Sequence, residues 1–447
     1  MFFKRIVSKG LAHYSYMIGD KGKMLVIDPK RDIEVYLEVA RQEGLSIDYI
    51  LETHRNEDYI VGSIELRSLT GAKIYISGHE DLGHVYGEKI RDGFEIKLGN
   101  LTFKALHTPG HTLGHLSFAL YEKSRSMPYM VFTGDSLFMG DLARTDFYGE
   151  DNLEEMTGLL YDSIFEKLLP LGDDVIVMPA HGAGSACGQN MEDRPYSTLG
   201  YEKKYNQQLQ DESKEAFISR FGTMRVRPKY FEKMKVLNIK GAEPLGLGMN
   251  LPHLSLEQID EEDILILDCR PKEAYYGGHI PGSLHMGPDN LSAFLGTILE
   301  LDTPFAFMVD ESQMAVLEDL YFQSRRIGFE NIRGFLTNGI DRWEISEKNL
   351  DTLNTITPEE LLILETDYTL LDIRKETEKS EDDPKKNRIS IPLEYLVDRY
   401  KEIPMDKPVY VLCASGSRSA TGASLLKNFG YDSYVVSGGI LALRKIR

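Results

Sequence analysis

Short runs of alternating apolar and polar residues fill the first part of the chain, and between them lie stretches with apolar residues three and four positions apart. Residues 15–18 and 23–28 read as strands flanking Asp20-Lys21-Gly22, which predicts a hairpin. Ile33, Leu37 and Ala40 give residues 32–42 a helical period, and Gly44 marks its end. Residues 47–52 read as a strand that hands its next residues to a loop, 59–69 as a helix and 73–77 as a strand. Strands follow at 101–106, 115–120 and 129–133, then a helix at 152–169 and a strand at 174–178 ending in Pro179. Such a mixture of hairpins and helices predicts two sheets covered by helices.

The pattern changes at Lys240-Gly241-Ala242-Glu243-Pro244-Leu245-Gly246-Leu247-Gly248, whose glycines and proline read as a linker. An internal repeat lies beyond it. Leu265-Ile266-Leu267-Asp268-Cys269-Arg270 is echoed roughly a hundred residues later by Thr369-Leu370-Leu371-Asp372-Ile373-Arg374. Pro304-Phe305-Ala306-Phe307-Met308-Val309-Asp310 is echoed by Pro408-Val409-Tyr410-Val411-Leu412-Cys413-Ala414. Two small α/β domains with buried parallel strands are predicted. The expected boundaries are 1–240, 250–350 and 355–447.

A chain of 447 residues with 42% hydrophobic content has room for three cores of ordinary size. Its net charge of −19 repels nucleic acid and anionic lipid, so neither nucleic acid nor membrane is an expected partner. Three cysteines, Cys187, Cys269 and Cys413, are too few for a disulfide framework and fit a reducing compartment. No apolar run of signal-peptide or membrane-spanning length occurs, which makes the location expected from sequence cytoplasmic. Apolar faces on the middle domain make a homo-oligomer the expected assembly.

Residues 409–412 run as a buried strand into Cys413-Ala414-Ser415-Gly416-Ser417-Arg418, and 419–429 read as a helix closed by Gly430. At such a strand end, loop N–H groups, the helix dipole and Arg418 favour thiolate, the nucleophilic form of cysteine. The loop donors of Ala414, Ser415, Gly416 and Ser417 suit a persulfide or a bound oxyanion. Four residues separate Cys413 from Arg418, one fewer than a cysteine phosphatase uses to wrap a phosphate, and the tighter ring suits a sulfane sulfur. With Leu371-Asp372-Ile373-Arg374 upstream and Ser437-Gly438-Gly439 downstream, the segment resembles the rhodanese sulfurtransferases. The resemblance implies that Cys413 carries sulfur with Arg418 as its catalytic companion. The family's Gly-His-Ile-Pro-Gly turn is absent here, where a charged stretch precedes Ile391-Pro392-Leu393.

The middle domain shows the reverse. It keeps Gly278-His279-Ile280-Pro281-Gly282, yet has Asp310, in Asp310-Glu311-Ser312-Gln313-Met314, where the nucleophile belongs. A carboxylate cannot carry a sulfane sulfur. The domain resembles a degenerate rhodanese serving as spacer or docking module, with Cys269 and His279 structural.

In the first domain, loops after strands carry Thr53-His54-Arg55-Asn56-Glu57-Asp58-Tyr59, then Thr108-Pro109-Gly110-His111-Thr112-Leu113-Gly114-His115, Thr133-Gly134-Asp135-Ser136-Leu137-Phe138 and Met178-Pro179-Ala180-His181-Gly182. In order and spacing these resemble the metallo-β-lactamase superfamily, which implies an N-terminal αββα sandwich followed by the two α/β rhodanese-like domains with parallel sheets. The family's first signature is His-x-His-x-Asp-His; here Asn56 replaces the second histidine and Tyr59 the last. Zinc sites draw on imidazole, so a dinuclear zinc hydrolase is not expected. His54, His111 and Asp135 remain, and two histidines with one carboxylate make the facial triad of non-haem Fe(II) oxygenases. The superfamily's persulfide dioxygenases are similar at these positions: they bind a single iron there and convert a low-molecular-weight persulfide and O2 to sulfite. Members fused to rhodanese domains resemble this chain in order and length, and share Tyr59; Asn56 departs from them. Asp58 and His181 are left either orienting the ligands or holding a partial second metal, with zinc the alternative ion.

Asp141-Leu142-Ala143-Arg144-Thr145-Asp146-Phe147 matches a dioxygenase motif whose arginine contacts substrate. Arg144 is therefore a bidentate anchor for a thiol carboxylate or one half of a surface ion pair. The backbone of Gly182-Ala183-Gly184-Ser185-Ala186-Cys187-Gly188, with Ser185 at its middle, is expected at the substrate mouth, and Cys187 is a spectator or a substrate-facing thiol. His79, His84, His107 and His115 read as structural. The resemblances imply a sulfur-metabolism enzyme: Fe(II)-dependent oxidation of a thiol persulfide by O2 to sulfite, coupled to sulfane transfer by Cys413, with thiosulfate formed where sulfite accepts that sulfur. The alternatives are a rhodanese with a non-oxygenase metal domain and a thiolester hydrolase of the glyoxalase II type.

Overall fold

His13–Asp20 and Lys23–Ile27 pair antiparallel across Lys21-Gly22, whose backbones are left-handed at φ 49° and 81°. Two successive left-handed residues make the turn that matches strand twist. The computed structural model describes residues 1–211, 213–225 and 227–446. It divides into two units, Met1–Gly248 with Arg325–Gly328, and Met249–Ser324 with Phe329–Arg447.

In the first unit, one six-stranded sheet runs Phe2–Ser8, His13–Asp20, Lys23–Ile27, Ser46–Leu51, Lys73–Ser77, Glu88–Ile90. The other six-stranded sheet runs Ser197–Thr198, Ile176–Pro179, Met130–Gly134, Leu116–Glu122, Leu101–His107, Glu95–Leu98. Successive strand residues face opposite sides. Tyr16, Ile18 and Leu25 therefore meet Phe103, Phe118 and Phe132 between the sheets. Met17, Val26 and Ile50 point the other way, onto Tyr36, Val39 and Leu66 of the helices Glu34–Glu43 and Ser63–Thr70. Val131 and Val177 back the second sheet onto Leu160, Ile164 and Phe217. The result is an αββα sandwich. Among the described residues no helix is long and apolar enough to cross a membrane.

Two helices depart from their periodicity. Residues 59–62 stay outside the helix, which spans Ser63–Thr70. Their backbone has other partners: Val61 N–H donates to Asn238 Oδ1 at 3.0 Å and Gly62 N–H to Pro29 O at 2.8 Å. The helix Leu153–Asp162 then opens into a π-helical stretch, Ser163–Leu168. There the Ser163 hydroxyl donates to Pro109 O at 2.7 Å, tying this segment to the loop that carries His111.

The second unit holds two parallel sheets. One has four strands in the order Leu284–His285, Leu265–Asp268, Phe305–Val309, Ile332–Thr337. The other has five in the order Thr355–Ile356, Ser433–Val436, Val409–Leu412, Thr369–Asp372, Arg388–Ser390. The helix Ser417–Asn428 ties the two: Ser424 Oγ accepts from His285 N–H at 3.1 Å and Asn428 Nδ2 donates to Gly282 O at 3.1 Å. Cys269 is fully buried, and His279 stacks on Tyr275 with centroids 3.9 Å apart, both as structural residues should. The charged stretch that replaces the missing turn has its own work. Asp383 accepts from Arg374 Nη2 and from Arg444 Nη2, each at 2.8 Å. Burial opposes its charge, but the Ser380 N–H and these guanidinium groups prevail and hold the carboxyl at about 2.

Candidate metal centre and sulfur loop

The strand Ser46–Leu51 delivers residues 52–59 to a loop in which every side chain is buried. Asp28, at the end of a neighbouring strand, accepts from the Thr53 N–H and hydroxyl, each at 2.8 Å. With its proton given to Asp28, Thr53 Oγ1 accepts from His54 Nδ1–H at 2.8 Å. His111 Nδ1–H donates to Arg144 O at 2.9 Å. Both rings are thereby locked with the Nε2 lone pair free. Those atoms converge on Asp135 Oδ2, at 3.9 Å from His54 and 3.5 Å from His111.

Burial holds the His54 imidazole well down from its ordinary range and lowers that of His111, in both cases against the pull of Asp135, so the neutral form is favoured. Burial alone would raise the Asp135 carboxyl, but His181, His54 and His111 outweigh it and keep the carboxylate ionised. Asp135 Oδ2 is buried and has no hydrogen-bond partner. An orphaned carboxylate oxygen facing two neutral imidazole nitrogens fits a divalent metal ion in chemistry and in number of donors. His54, His111 and Asp135 would be its ligands.

Next to this triad lies a second group. His181 Nδ1 is 2.7 Å from Asp135 Oδ1, and its Nε2 is 3.0 Å from Asp58 Oδ2. Burial would lower this imidazole, but the two carboxylates overcome it and raise it well above the ordinary range. The Cys187 sulfur joins Asp58 and His181, with their donor atoms within 4.8 Å of one another. Burial, then Asp135 and Asp58, push that thiol far up, so without a metal it stays protonated. Cys187 thus lies beside Asp58 and His181. The sequence had not joined it to Asp58 and His181, because a lone cysteine in a glycine-rich loop carries no ligand spacing.

The two family substitutions have distinct fates. Tyr59 is kept as a phenol by burial, and its hydroxyl donates to His13 Nε2 at 2.8 Å. His13, a residue the sequence reading passed over, then carries its one ring proton on Nδ1 and donates to Ser8 Oγ at 3.1 Å. Asn56 is fully buried with Oδ1 unpartnered and Nδ2 only 3.5 Å from His54 O. Asn238, on the helix Phe231–Lys240, pins this loop from outside, donating to Asn56 O at 2.8 Å and Tyr59 O at 2.7 Å.

Arg144 corrects one expectation. It is 2% exposed and so no surface pair. Its Nε and Nη2 grip both oxygens of Asp146, each at 2.7 Å, and Nη2 also donates to Arg225 O at 2.8 Å. Ser185 braces its own loop, its hydroxyl accepting from Cys187 N–H at 3.1 Å. His115 is structural, its Nε2 accepting from Asp135 N–H at 2.9 Å. His79 and His107 stack on each other, with centroids 3.7 Å apart.

In the second unit Cys413 is fully buried at the end of Val409–Leu412, and Gly416 N–H points at its Sγ from 3.1 Å. Arg418 is engaged by an acid from elsewhere in the chain. Its Nη1 and Nη2 take both oxygens of Glu378, at 2.8 and 2.5 Å. Glu378 comes from the charged stretch, whose acids the sequence reading left unassigned. In the middle domain Asp310 caps its own helical turn: its side chain accepts from the Gln313 backbone, and Gln313 Oε1 accepts from Asp310 N–H at 3.2 Å. The position is built for folding and not for sulfur.

Comparison with known proteins agrees with both halves. The metallo-beta-lactamase superfamily profile matches residues 9–181, and the rhodanese-like domain profile matches 252–346 and 357–445. Over 197 residues the chain is 30% identical to hydroxyacylglutathione hydrolase GloC of Haemophilus influenzae, spanning 40% of this chain and 88% of that protein. It is similar to a metallo-beta-lactamase structure from Staphylococcus aureus, at 32% identity and a TM-score of 0.67, covering 75% of this chain and 98% of that one. A structure of ETHE1 from Myxococcus xanthus aligns at 29% identity and a TM-score of 0.46, over 53% of this chain and 98% of that one.

Proposed function

The chain belongs to the metallo-beta-lactamase superfamily and carries two rhodanese-like domains, and from that premise we propose that it oxidises a thiol persulfide with O2 at one Fe(II) ion and passes sulfane sulfur through Cys413. The observation that carries this reading is the donor set: two neutral imidazoles and one carboxylate converge, while Asn56 and Tyr59 stand where a dinuclear site keeps histidines. Iron, when bound, supplies open coordination positions for a thiolate sulfur and O2. The protein does the rest. Thr53 and the Arg144 carbonyl fix the two rings, and burial of the loop excludes bulk water. The reaction balances as persulfide, O2 and water giving thiol, sulfite and two protons; the outer sulfur loses four electrons and O2 gains four. At Cys413 the sulfite lone pair then attacks the outer sulfur of a cysteine persulfide. The S–S bond breaks, its electron pair stays on Cys413, and thiosulfate leaves.

One observation favours a second reading. The Haemophilus relative is named a hydroxyacylglutathione hydrolase, and Asp58, His181 and Cys187 offer donors for another ion. Thiolester hydrolysis at a two-zinc centre is that alternative. The test is anaerobic purification with Fe(II), metal analysis, and O2 uptake on adding glutathione persulfide. One iron per chain and uptake lost in His111→Ala are expected. Two zinc ions with hydrolysis of a glutathione thiolester would replace the oxidation reading by the hydrolytic one.

A further inference from the structure

Arg418 is the cation a sulfur loop would use to attract an anionic reactant, yet Glu378 neutralises it through two hydrogen bonds. A persulfide on Cys413 is itself negative, and sulfite or thiosulfate approaching it is a dianion. A cation from elsewhere is needed. The middle domain of the same unit, with Asp310 in place of the loop cysteine, supplies one. Its Lys272, at the start of the helix Lys272–Gly277, reaches the loop so closely that Cε lies 3.8 Å from where a Cβ on Gly416 would be. The nearest anion to the Lys272 ammonium is Glu273 at 3.0 Å, whose side chain is 70% exposed. Such a pair is screened by water and gives way to a better anion.

A second group from that domain lies within electrostatic reach of Cys413. Tyr276 Oη is buried and has no hydrogen-bond partner. Burial, then Glu273 and Cys413, raise the phenol, so it remains a donor. Asn290, also of that domain, donates from Nδ2 to Ser417 Oγ at 2.9 Å and fixes the first residue of the helix beneath Cys413.

We propose that Lys272 and Tyr276 of the middle domain form an oxyanion subsite for the Cys413 loop, which binds sulfite as sulfur acceptor or thiosulfate as sulfur donor. The subsite rests on the reading of Cys413 as a sulfur carrier. Lys272 holds the charge of the oxyanion and Tyr276 donates to one of its oxygens. This gives the degenerate domain a role that needs no nucleophile of its own.

The test uses the full chain with Lys272→Met, Lys272→Arg, Tyr276→Phe and Cys413→Ser. In thiosulfate-dependent sulfur transfer, Lys272→Met should raise KM for thiosulfate by about tenfold with kcat nearly unchanged, and Lys272→Arg should restore it. Tyr276→Phe should raise KM by about threefold. A second measurement does not depend on sulfur transfer: alkylation of Cys413 by anionic iodoacetate and by neutral iodoacetamide, read on the Cys413 peptide. The iodoacetate-to-iodoacetamide rate ratio should fall by about tenfold in Lys272→Met. An unchanged ratio and an unchanged KM in that variant would overturn the subsite. A wild-type chain that transfers no sulfur, but whose alkylation ratio still falls with Lys272→Met, would sink the sulfur-carrier reading and leave the oxyanion subsite standing.

Discussion

Glu378 holds both arms of Arg418, through Oε2 to Nη1 at 2.8 Å and Oε1 to Nη2 at 2.5 Å. The Arg418 side chain is 16% exposed and that of Glu378 32%, so the pair is only partly screened. The positive charge nearest in sequence to the Cys413 loop is thus largely cancelled. In Glu378→Gln the guanidinium keeps a hydrogen-bond partner but its charge is no longer offset. Alkylation of Cys413 by iodoacetamide at neutral pH should speed up by about threefold, with a stability loss of about 1 kcal/mol or less. A slower reaction would mean that the ion pair positions Arg418 productively.

Gly439 closes the same loop from the other side. Its φ is 59°, and a Cβ there would lie 2.5 Å from Cys413 O and 2.6 Å from Ala414 O. Both atoms are backbone, so neither can swing away. Gly439→Ala should cost about 2 kcal/mol in stability and displace the Cys413 carbonyl. Sulfur transfer should drop by at least about tenfold, as expected when a nucleophile is misplaced by a fraction of an ångström. Urea midpoints and transfer rates check the two parts separately.

Asn238 makes three hydrogen bonds to the metal loop, to Asn56 O, Tyr59 O and Val61 N–H. Asn238→Ala leaves those groups buried and unpaired. A loss of about 2 kcal/mol and a fall of about tenfold in metal affinity are expected. Chelator competition and thermal unfolding of the metal-free chain resolve the two effects.

His285 gives the second unit an acid-sensitive element. Burial lowers its imidazole to about 4, only partly offset by its hydrogen bond to Arg270 O. The unfolded chain titrates near the ordinary 6.5 and so binds more protons between pH 6.5 and 4. Stability from this group is complete above pH 6.5 and is lost as the pH falls toward 4, by about 3 kcal/mol in all. His285→Asn should flatten the pH dependence of the urea midpoint across that window. A midpoint that falls equally in both proteins would assign the acid sensitivity to other groups.

Much of this was legible in the chain. The hairpin at Lys21-Gly22, the strand Lys73–Ser77 and the strand Val409–Leu412 follow from period and turn chemistry alone. His54, His111 and Asp135 were visible because loops after strands carry them in a recognisable order. Three things were hidden. Glu378 sits in a run of charged residues where nothing local distinguishes one acid from the next. Residues 59–62 have helical spacing but lose their backbone to Asn238 and Pro29, a tertiary choice that overrides propensity. Cys187 meets Asp58 and His181 only through the folding of three separate loops.

The dependence of the metal loop on Asn238 has a consequence for how the chain is made. Synthesis runs from the N-terminus, so His54, His111 and Asp135 leave the ribosome long before the helix Phe231–Lys240 exists. Until that helix docks, the loop around Asn56 lacks its clamp. The metal loop and its clamp are thus made at different times, and the geometry described for His54, His111 and Asp135 is complete only once the helix Phe231–Lys240 has docked.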